Sequence, residues 1–346
     1  MGEETTNTQR ISIPGDTVTQ ALNRLATEGE LDEAGRADIW WFYSCAMENE
    51  WNLEDAGNAI NMDATTVHRL FTGRYGARYD GIVEAVRKYR ALHAARGNRK
   101  KISFVETSTW QKIDAVCRHA LVSQVPVFIF GDSQVGKTTC LKEFARRNNH
   151  GQTKYMELPA CSNLKMAMAE MARACYLSPR LKEADLNERL PKAITGNMLL
   201  IVDEFHLPFV TSSNRTALRI IEWLRKLYDK TQCGMVFSST RVGKDELETG
   251  PHALVLEQFR RRGIIQLELP PTPPKADIIK FAKAFGLPPP EGAANDIITT
   301  MLQRSGIKQY VVFLQSASNL ATNQKKPVSW DHFVAAYDKV QSLSKG

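Results

Sequence analysis

Residues 131–138 read Gly131-Asp132-Ser133-Gln134-Val135-Gly136-Lys137-Thr138, a complete G-x-x-x-x-G-K-T run. The glycines let the backbone turn its N–H groups inward, and a lysine followed by a hydroxyl adds one cation and one hard oxygen. That chemistry suits the phosphates of ATP with Mg2+. The N–H groups from Gly131 to Thr139 are expected to cradle the phosphates, Lys137 to reach the outer ones, and Thr138 to ligate the metal. The competing reading is an incidental glycine turn, and the flanks weigh against it. Residues 125–130 are a short apolar run suited to a buried strand, and 139–147 have helical spacing with Leu141, Phe144 and Ala145 on one face.

A second cluster lies about 65 residues downstream, where the apolar run 198–202 ends in Asp203-Glu204. Asp203 is expected to hold Mg2+ through water, and Glu204 to orient and polarise the water that attacks the γ-phosphate. Phosphoryl transfer needs mainly positioning and charge neutralisation, and these groups supply both. His206 reads as a hydrogen-bonded structural histidine that can also support the site. The run 234–240 is a further strand with a polar end. There Ser239, or alternatively Thr240, can bond the attacking water, and a strand-end cap is the rival reading. In Gln258-Phe259-Arg260-Arg261-Arg262, Arg261 is the favoured arginine to reach a neighbouring subunit's nucleotide, with Arg260 and Arg262 as rivals. A generic basic patch is the plain alternative.

Positioning these groups requires a particular scaffold. From residue 104 onward the pattern alternates strand and helix, with strands expected at 125–130, 154–158, 198–202, 234–239 and 264–269. That order predicts an α/β fold, a parallel sheet between helices. After the proline-rich 270–274 the chain reads as helical at 275–285, 293–304, 308–321 and 330–343. The expected domains are a helical unit over 1–96, a basic linker over 97–103, a nucleotide-binding core over 104–270, and a helical lid over 271–346.

The N-terminal unit has helical patterns at 17–28 and 37–49, the second carrying Trp40-Trp41-Phe42-Tyr43 as core or packing surface. Residues 53–71 resemble a helix-turn-helix. Leu53 to Ile60 is a short helix, Asn61-Met62-Asp63 a turn with Asp63 as N-cap, and Ala64 to Phe71 a second helix burying Val67, Leu70 and Phe71. That leaves Thr65, Thr66, His68 and Arg69, with Arg74 beyond, to meet DNA phosphates and base edges. Lys100 and Lys101 in the linker can also touch phosphate. A small helical bundle with no DNA role is the alternative.

Charge agrees with a polyanion partner. Residues 1–63 carry 3 Lys/Arg against 13 Asp/Glu, net −10, whereas 64–96 carry +5 and 97–346 carry +12. A solvated surface explains it as well. The six cysteines are scattered with no C-x-x-C pair, which suits a reduced cytoplasmic interior. No apolar run approaches the ~20 residues of a membrane span, and the polar start has no export signal.

From about residue 50 onward the chain resembles the AAA+ ATPases of DNA transposition, the target-DNA activators of the phage Mu B type. The resemblance rests on Phe104-Val105-Glu106-Thr107, Gly131 to Thr138, Asp203-Glu204-Phe205-His206-Leu207, and Lys275-Ala276-Asp277, with the helix-turn-helix in the matching place. It implies ATP-dependent binding of duplex DNA with little sequence preference, self-assembly into filaments or rings, recruitment of a transposase, and disassembly after hydrolysis. It also implies Val105 and Glu106 near the adenine, and DNA contacts from Lys165, then Arg180 and Lys182. Ser239 stands where relatives often have Asn, and Gln309 where they often have Arg. Residues 208–216 look longer than their counterpart. Two rivals share parts of the pattern: a helicase loader or other DNA-remodelling ATPase, and a nucleotide-sensing regulator without hydrolysis.

Overall fold

The computed structural model describes residues 10–97, 102–149, 151–250, 253, 257, 261 and 265–344. The chain divides into two compact units, Met1–Arg99 and Lys100–Gly346. Lys100, Lys101, Arg260 and Arg262 lie outside the described residues.

The first unit contains α1 (Gly15–Thr27), α2 (Glu33–Glu48), α3 (Leu53–Ile60), α4 (Ala64–Phe71) and α5 (Asp80–Gly97). Phe42, Val67, Leu70, Phe71 and Val86 form its core. Of the aromatic run, Phe42 and Tyr43 are buried, whereas Trp40 stays exposed. The short turn between α3 and α4 is fixed by local chemistry. Asn61 closes α3 at φ 56°, Gly57 lies so near the Met62 carbonyl that a Cβ would sit 2.4 Å from it, and Asp63 accepts from Thr66 N at 2.8 Å. Asp38 is buried and paired with Arg87 and Arg90 at 2.6 and 2.7 Å, which ties α2 to α5. The two guanidiniums hold its carboxyl below the usual range against the burial that would raise it.

The second unit runs α6 (Ser108–Ser123), β1 (Pro126–Phe130), α7 (Lys137–Arg147), β2 (Thr153–Glu157), α8 (Leu164–Ala174), α9 (Glu183–Ala193), β3 (Leu199–Asp203), α10 (Leu207–Thr211), α11 (Asn214–Thr231), β4 (Gly234–Ser239), α12 (Arg241–Thr249) and β5 (Ile265–Glu268). All pairings among the five strands are parallel, in the order β2-β3-β4-β1-β5. The central strands are apolar up to their C-terminal ends, where Asp203, Ser238 and Ser239 stand, because both faces are covered. Val127 and Ile129 of β1 pack with Ile113 and Leu141, while Phe128 and Phe130 pack with Leu224 and Phe237 on the other face. The edge strands β2 and β5 keep exposed positions instead. α8 ends in a Schellman turn: Tyr176 N donates to the Arg173 carbonyl and Leu177 N to that of Ala172. Tyr176 occupies the left-handed position, φ 58°, where glycine is usual; the strain costs about 1 kcal/mol.

Three helices follow: α13 (Lys275–Phe285), α14 (Gly292–Asn323) and α15 (Trp330–Ser344), around a core of Phe285, Leu302, Tyr310, Phe313 and Phe333. The two expected helices 293–304 and 308–321 are the two arms of α14, separated by a kink at Gly306, which adopts the non-helical φ 67°, ψ −172°. A Cβ there would also lie 3.1 Å from the Gln134 carbonyl, so glycine is needed for both conformation and close approach.

Asp277 joins these helices to the rest of the unit. Its buried carboxylate accepts from Ser108 N at 2.8 Å and Ser108 Oγ at 2.6 Å, satisfying a free donor at the α6 N-terminus. Asp277→Ala would strand both donors. It is expected to cost about 2–4 kcal/mol and lower the thermal midpoint by roughly 5–10 °C in calorimetry.

Candidate active site

β1, β3 and β4 all end at one edge of the sheet, and the groups singled out by sequence gather there. The turn after β1 carries residues 131–136. Gln134 and Gly136 have positive φ (67° and 97°), and Gly136 sits at the N-cap of α7. Gly131 is pressed against Leu269, where a Cβ would come within 3.0 Å. Lys137 is buried, and its Nζ donates to the carbonyls of Gly131 at 2.6 Å and Asp132 at 3.0 Å. Burial lowers its pKa, and Asp203, Glu204 and Asp132 oppose that shift. Asp132 also pairs with Arg241 at 3.2 Å.

Asp203 is the last residue of β3, level with Glu157 of β2. It is buried, its Oδ1 accepts from Glu204 N at 2.9 Å, and its Oδ2 accepts from Tyr155 Oη at 3.1 Å. Burial and then the Asp203 charge keep the Tyr155 phenol protonated, hence a donor. The strand runs one residue beyond its expected end at 202. Glu204 then leaves the strand in a left-handed conformation, φ 55°. Burial raises its carboxyl pKa, and Asp203 adds to the shift. His206 Nδ1 approaches Glu204 Oε2 at 3.4 Å without hydrogen-bond geometry, and burial lowers its pKa.

A cavity of about 800 Å³ opens over Lys137 and Glu204, with Asp203 buried behind its wall. Its lining includes Ser133 through Thr139, Glu157, Glu204 and Thr240 on the polar side, and Phe104, Val105, Phe281, Ile307 and Val312 on the apolar side. Lys308 lines it, whereas Gln309 does not figure in the lining. The polar side fits a magnesium triphosphate: Thr138 and Asp203 are hard oxygen donors, and both donors to the Asp203 carboxylate leave it acceptor capacity for metal-bound water.

Two expectations require correction on geometry. Ser239 does not line the cavity: its Oγ is fully buried, donates to the Thr240 carbonyl, and faces α12 where a Gly243 Cβ would fall 2.0 Å away. Thr240, the first residue past β4, lines it instead, and its buried Oγ1 has no hydrogen-bond partner. Glu106 also turns away, because its carboxylate pairs with Arg147 at 2.7 Å, whose guanidinium lies over the Trp110 ring. Only Val105 of that pair lines the cavity. Arg261 is exposed and paired with Glu257 at 2.7 Å.

Of the nucleic-acid candidates, Thr65, His68, Arg69 and Arg74 are exposed on or just after α4. Thr66 is not free as expected, since its hydroxyl donates to Asp63 at 2.6 Å and completes the cap. Lys165, Arg180 and Lys182 are exposed in the second unit. Sequence reasoning missed Tyr155 and Glu157. Pairing β2 with β3 in register is the signal that would have found them.

A parallel sheet in this strand order, with the phosphate loop after β1 and paired acids ending β3, is the AAA+ P-loop fold. Residues 122–249 match the family described as an AAA domain. The chain resembles the target-DNA activators of Mu-like phages. It is 24% identical over 175 residues to the ATP-dependent target DNA activator B of Escherichia phage Mu, covering 49% of this chain and 53% of the relative. It is 30% identical over 152 residues to the Mu-like prophage FluMu DNA transposition protein B of Haemophilus influenzae, covering 42% and 47%. The chain thus spans about half the length of the curated relatives it matches. Among solved structures, domain III of the Thermotoga maritima replication initiation protein DnaA aligns over 69% of this chain and 98% of its own, at 13% identity and TM-score 0.44.

Thr240→Ala is expected to lower kcat about 10–100-fold with KM within threefold, because it removes an unpartnered hydroxyl from a residue of the cavity lining. Ser239→Ala should leave kcat within about threefold, since its hydroxyl does not reach the cavity. Steady-state phosphate release on the two variants separates the geometry from the sequence reading.

Proposed function

We propose that this chain is an ATP-dependent DNA-binding ATPase that assembles on duplex DNA with little sequence preference and recruits a transposase to it. The observation that carries the ATPase part is that Lys137 and Glu204 line one cavity with an apolar far side, with Asp203 buried directly behind and accepting from Glu204 N. The names of the relatives, an ATP-dependent target DNA activator and a DNA transposition protein, support the DNA and transposase parts. No helix among the described residues is long and apolar enough to cross a membrane.

Mg2+, when bound, neutralises charge on the phosphates, and Thr138 and Asp203 would hold it. The N–H groups of residues 131–139 and Lys137 bind the phosphates, with Lys137 exchanging the carbonyls of Gly131 and Asp132 for phosphate oxygens. Phe104, Val105 and Phe281 shelter the base. Glu204 orients the attacking water, and Thr240 donates to it or to the γ-phosphate. Residues 271–346 act as a lid over the 104–270 core. Arg261, released from Glu257, reaches the nucleotide of an adjoining subunit, so hydrolysis depends on assembly into a ring or filament. Residues 1–96 add the helix-turn-helix, with Arg69 and Arg74 to phosphate.

Lys137→Ala is expected to abolish nucleotide binding and, with it, nucleotide-dependent DNA binding. Electron microscopy with ATP, Mg2+ and plasmid DNA should show assemblies for the wild type and none for this variant; assemblies formed equally by both would refute the proposal. Glu204→Gln should slow hydrolysis at least 100-fold and prolong the DNA-bound state, read as the off-rate of labelled duplex.

A further inference from the structure

We propose that an open basic pocket between α7, the edge strand β2 and the end of α8 binds the phosphodiester backbone of a DNA strand, an assignment that rests on the DNA-binding reading above. The pocket, about 410 Å³, is lined by Lys142, Arg146, Lys154, Arg173, Tyr155 and Tyr176 among others. Lys142, Arg146 and Arg173 each have a carboxylate partner, Glu157, Glu143 and Glu170. The partners sit deeper at the arginines: the Arg146 side chain is 71% exposed and Glu143 only 10%, Arg173 56% and Glu170 35%. An approaching polyanion therefore meets guanidinium groups first, the geometry that suits phosphate. Lys154 has no carboxylate within 4 Å among the described residues; its ammonium lies 4.6 Å from the Tyr176 ring centroid. Thr153, also in the lining, has a buried hydroxyl without a hydrogen-bond partner.

Tyr176 is the second, independent observation. It is 85% exposed and holds the strained position of the Schellman turn. Core packing and backbone preference do not account for a large ring there, and the ring instead meets the Lys154 ammonium in the pocket. Other non-glycine left-handed positions at helix ends carry polar residues, Asn61, Gln124 and Gln232, whereas this one carries an exposed aromatic ring. The ring can pack against a deoxyribose face while its hydroxyl donates to phosphate. Arg180 and Lys182, both exposed, follow Tyr176 in the chain within about 14 and 22 Å of contour and can add further cations. α7 joins this pocket to the nucleotide, because it begins at Lys137 and carries Lys142 and Arg146. Lys142 lines both cavities and lies over the ring of Tyr155, whose hydroxyl holds Asp203.

The test uses the full chain, a fluorescein-labelled 30-base-pair duplex and a non-hydrolysable ATP analogue, with anisotropy read across a salt series. Arg146→Gln with Arg173→Gln is expected to weaken DNA binding about tenfold or more and flatten the log K against log salt slope by about 1.8, as two phosphate contacts are lost. Tyr176→Gly should weaken DNA binding at least about threefold while holding or raising the thermal midpoint, because glycine relieves the turn. Affinity for a fluorescent ATP analogue should be unchanged in both. Wild-type DNA affinity and salt slope in folded, nucleotide-binding variants would overturn this pocket and leave the DNA-binding reading standing. A wild type that binds no DNA with any nucleotide would overturn both.

Discussion

A buried ammonium group organises the nucleotide-binding end of the sheet. Lys137 is held among the carbonyls of its own loop, with the carboxylates of Asp203 and Glu204 close enough to oppose the effect of its burial. A buried cation requires such company. The sheet supplies that company, because β1 and β3 deliver the loop and the acids to the same edge, with β4 between them. Apolar runs on both faces of those strands keep the edge rigid, and the residues that leave the strands carry the chemistry.

Those residues share a geometric device. Glu204 and Thr240 are each the first residue beyond a buried strand, β3 and β4. At that point the chain is still anchored by the sheet but no longer constrained to alternate. Glu204 uses the freedom to take a left-handed conformation, and Asp203 caps its N–H. The helices after β5 are held to the same frame through Asp277 and Ser108, so the apolar wall of the cavity is tied to the lead-in around Phe104.

The phosphate loop, the Asp203-Glu204 pair, the five parallel strands and the α3–α4 turn were legible because each is written in local spacing, caps and apolar runs. α13 and α4 match their expected bounds for the same reason. What was illegible depends on contacts across the fold. Ser239 against Thr240 is decided by which side of β4 faces α12, and Glu106 by the proximity of Arg147, 41 residues away. Tyr155 reaches Asp203 only through the pairing of β2 with β3. The break between 293–304 and 308–321 was legible, but that its glycine lodges against Gln134 was not.

That glycine has a mechanical consequence. Beyond Gly306 the helix continues to Asn323, an arm of roughly 25 Å at about 1.5 Å per residue. Its fulcrum lies on the phosphate loop itself. Swivelling the arm by about 10° would sweep its far end by ~4 Å, so a sub-ångström adjustment around the phosphates is geometrically magnified at the opposite end of the chain's C-terminal helices.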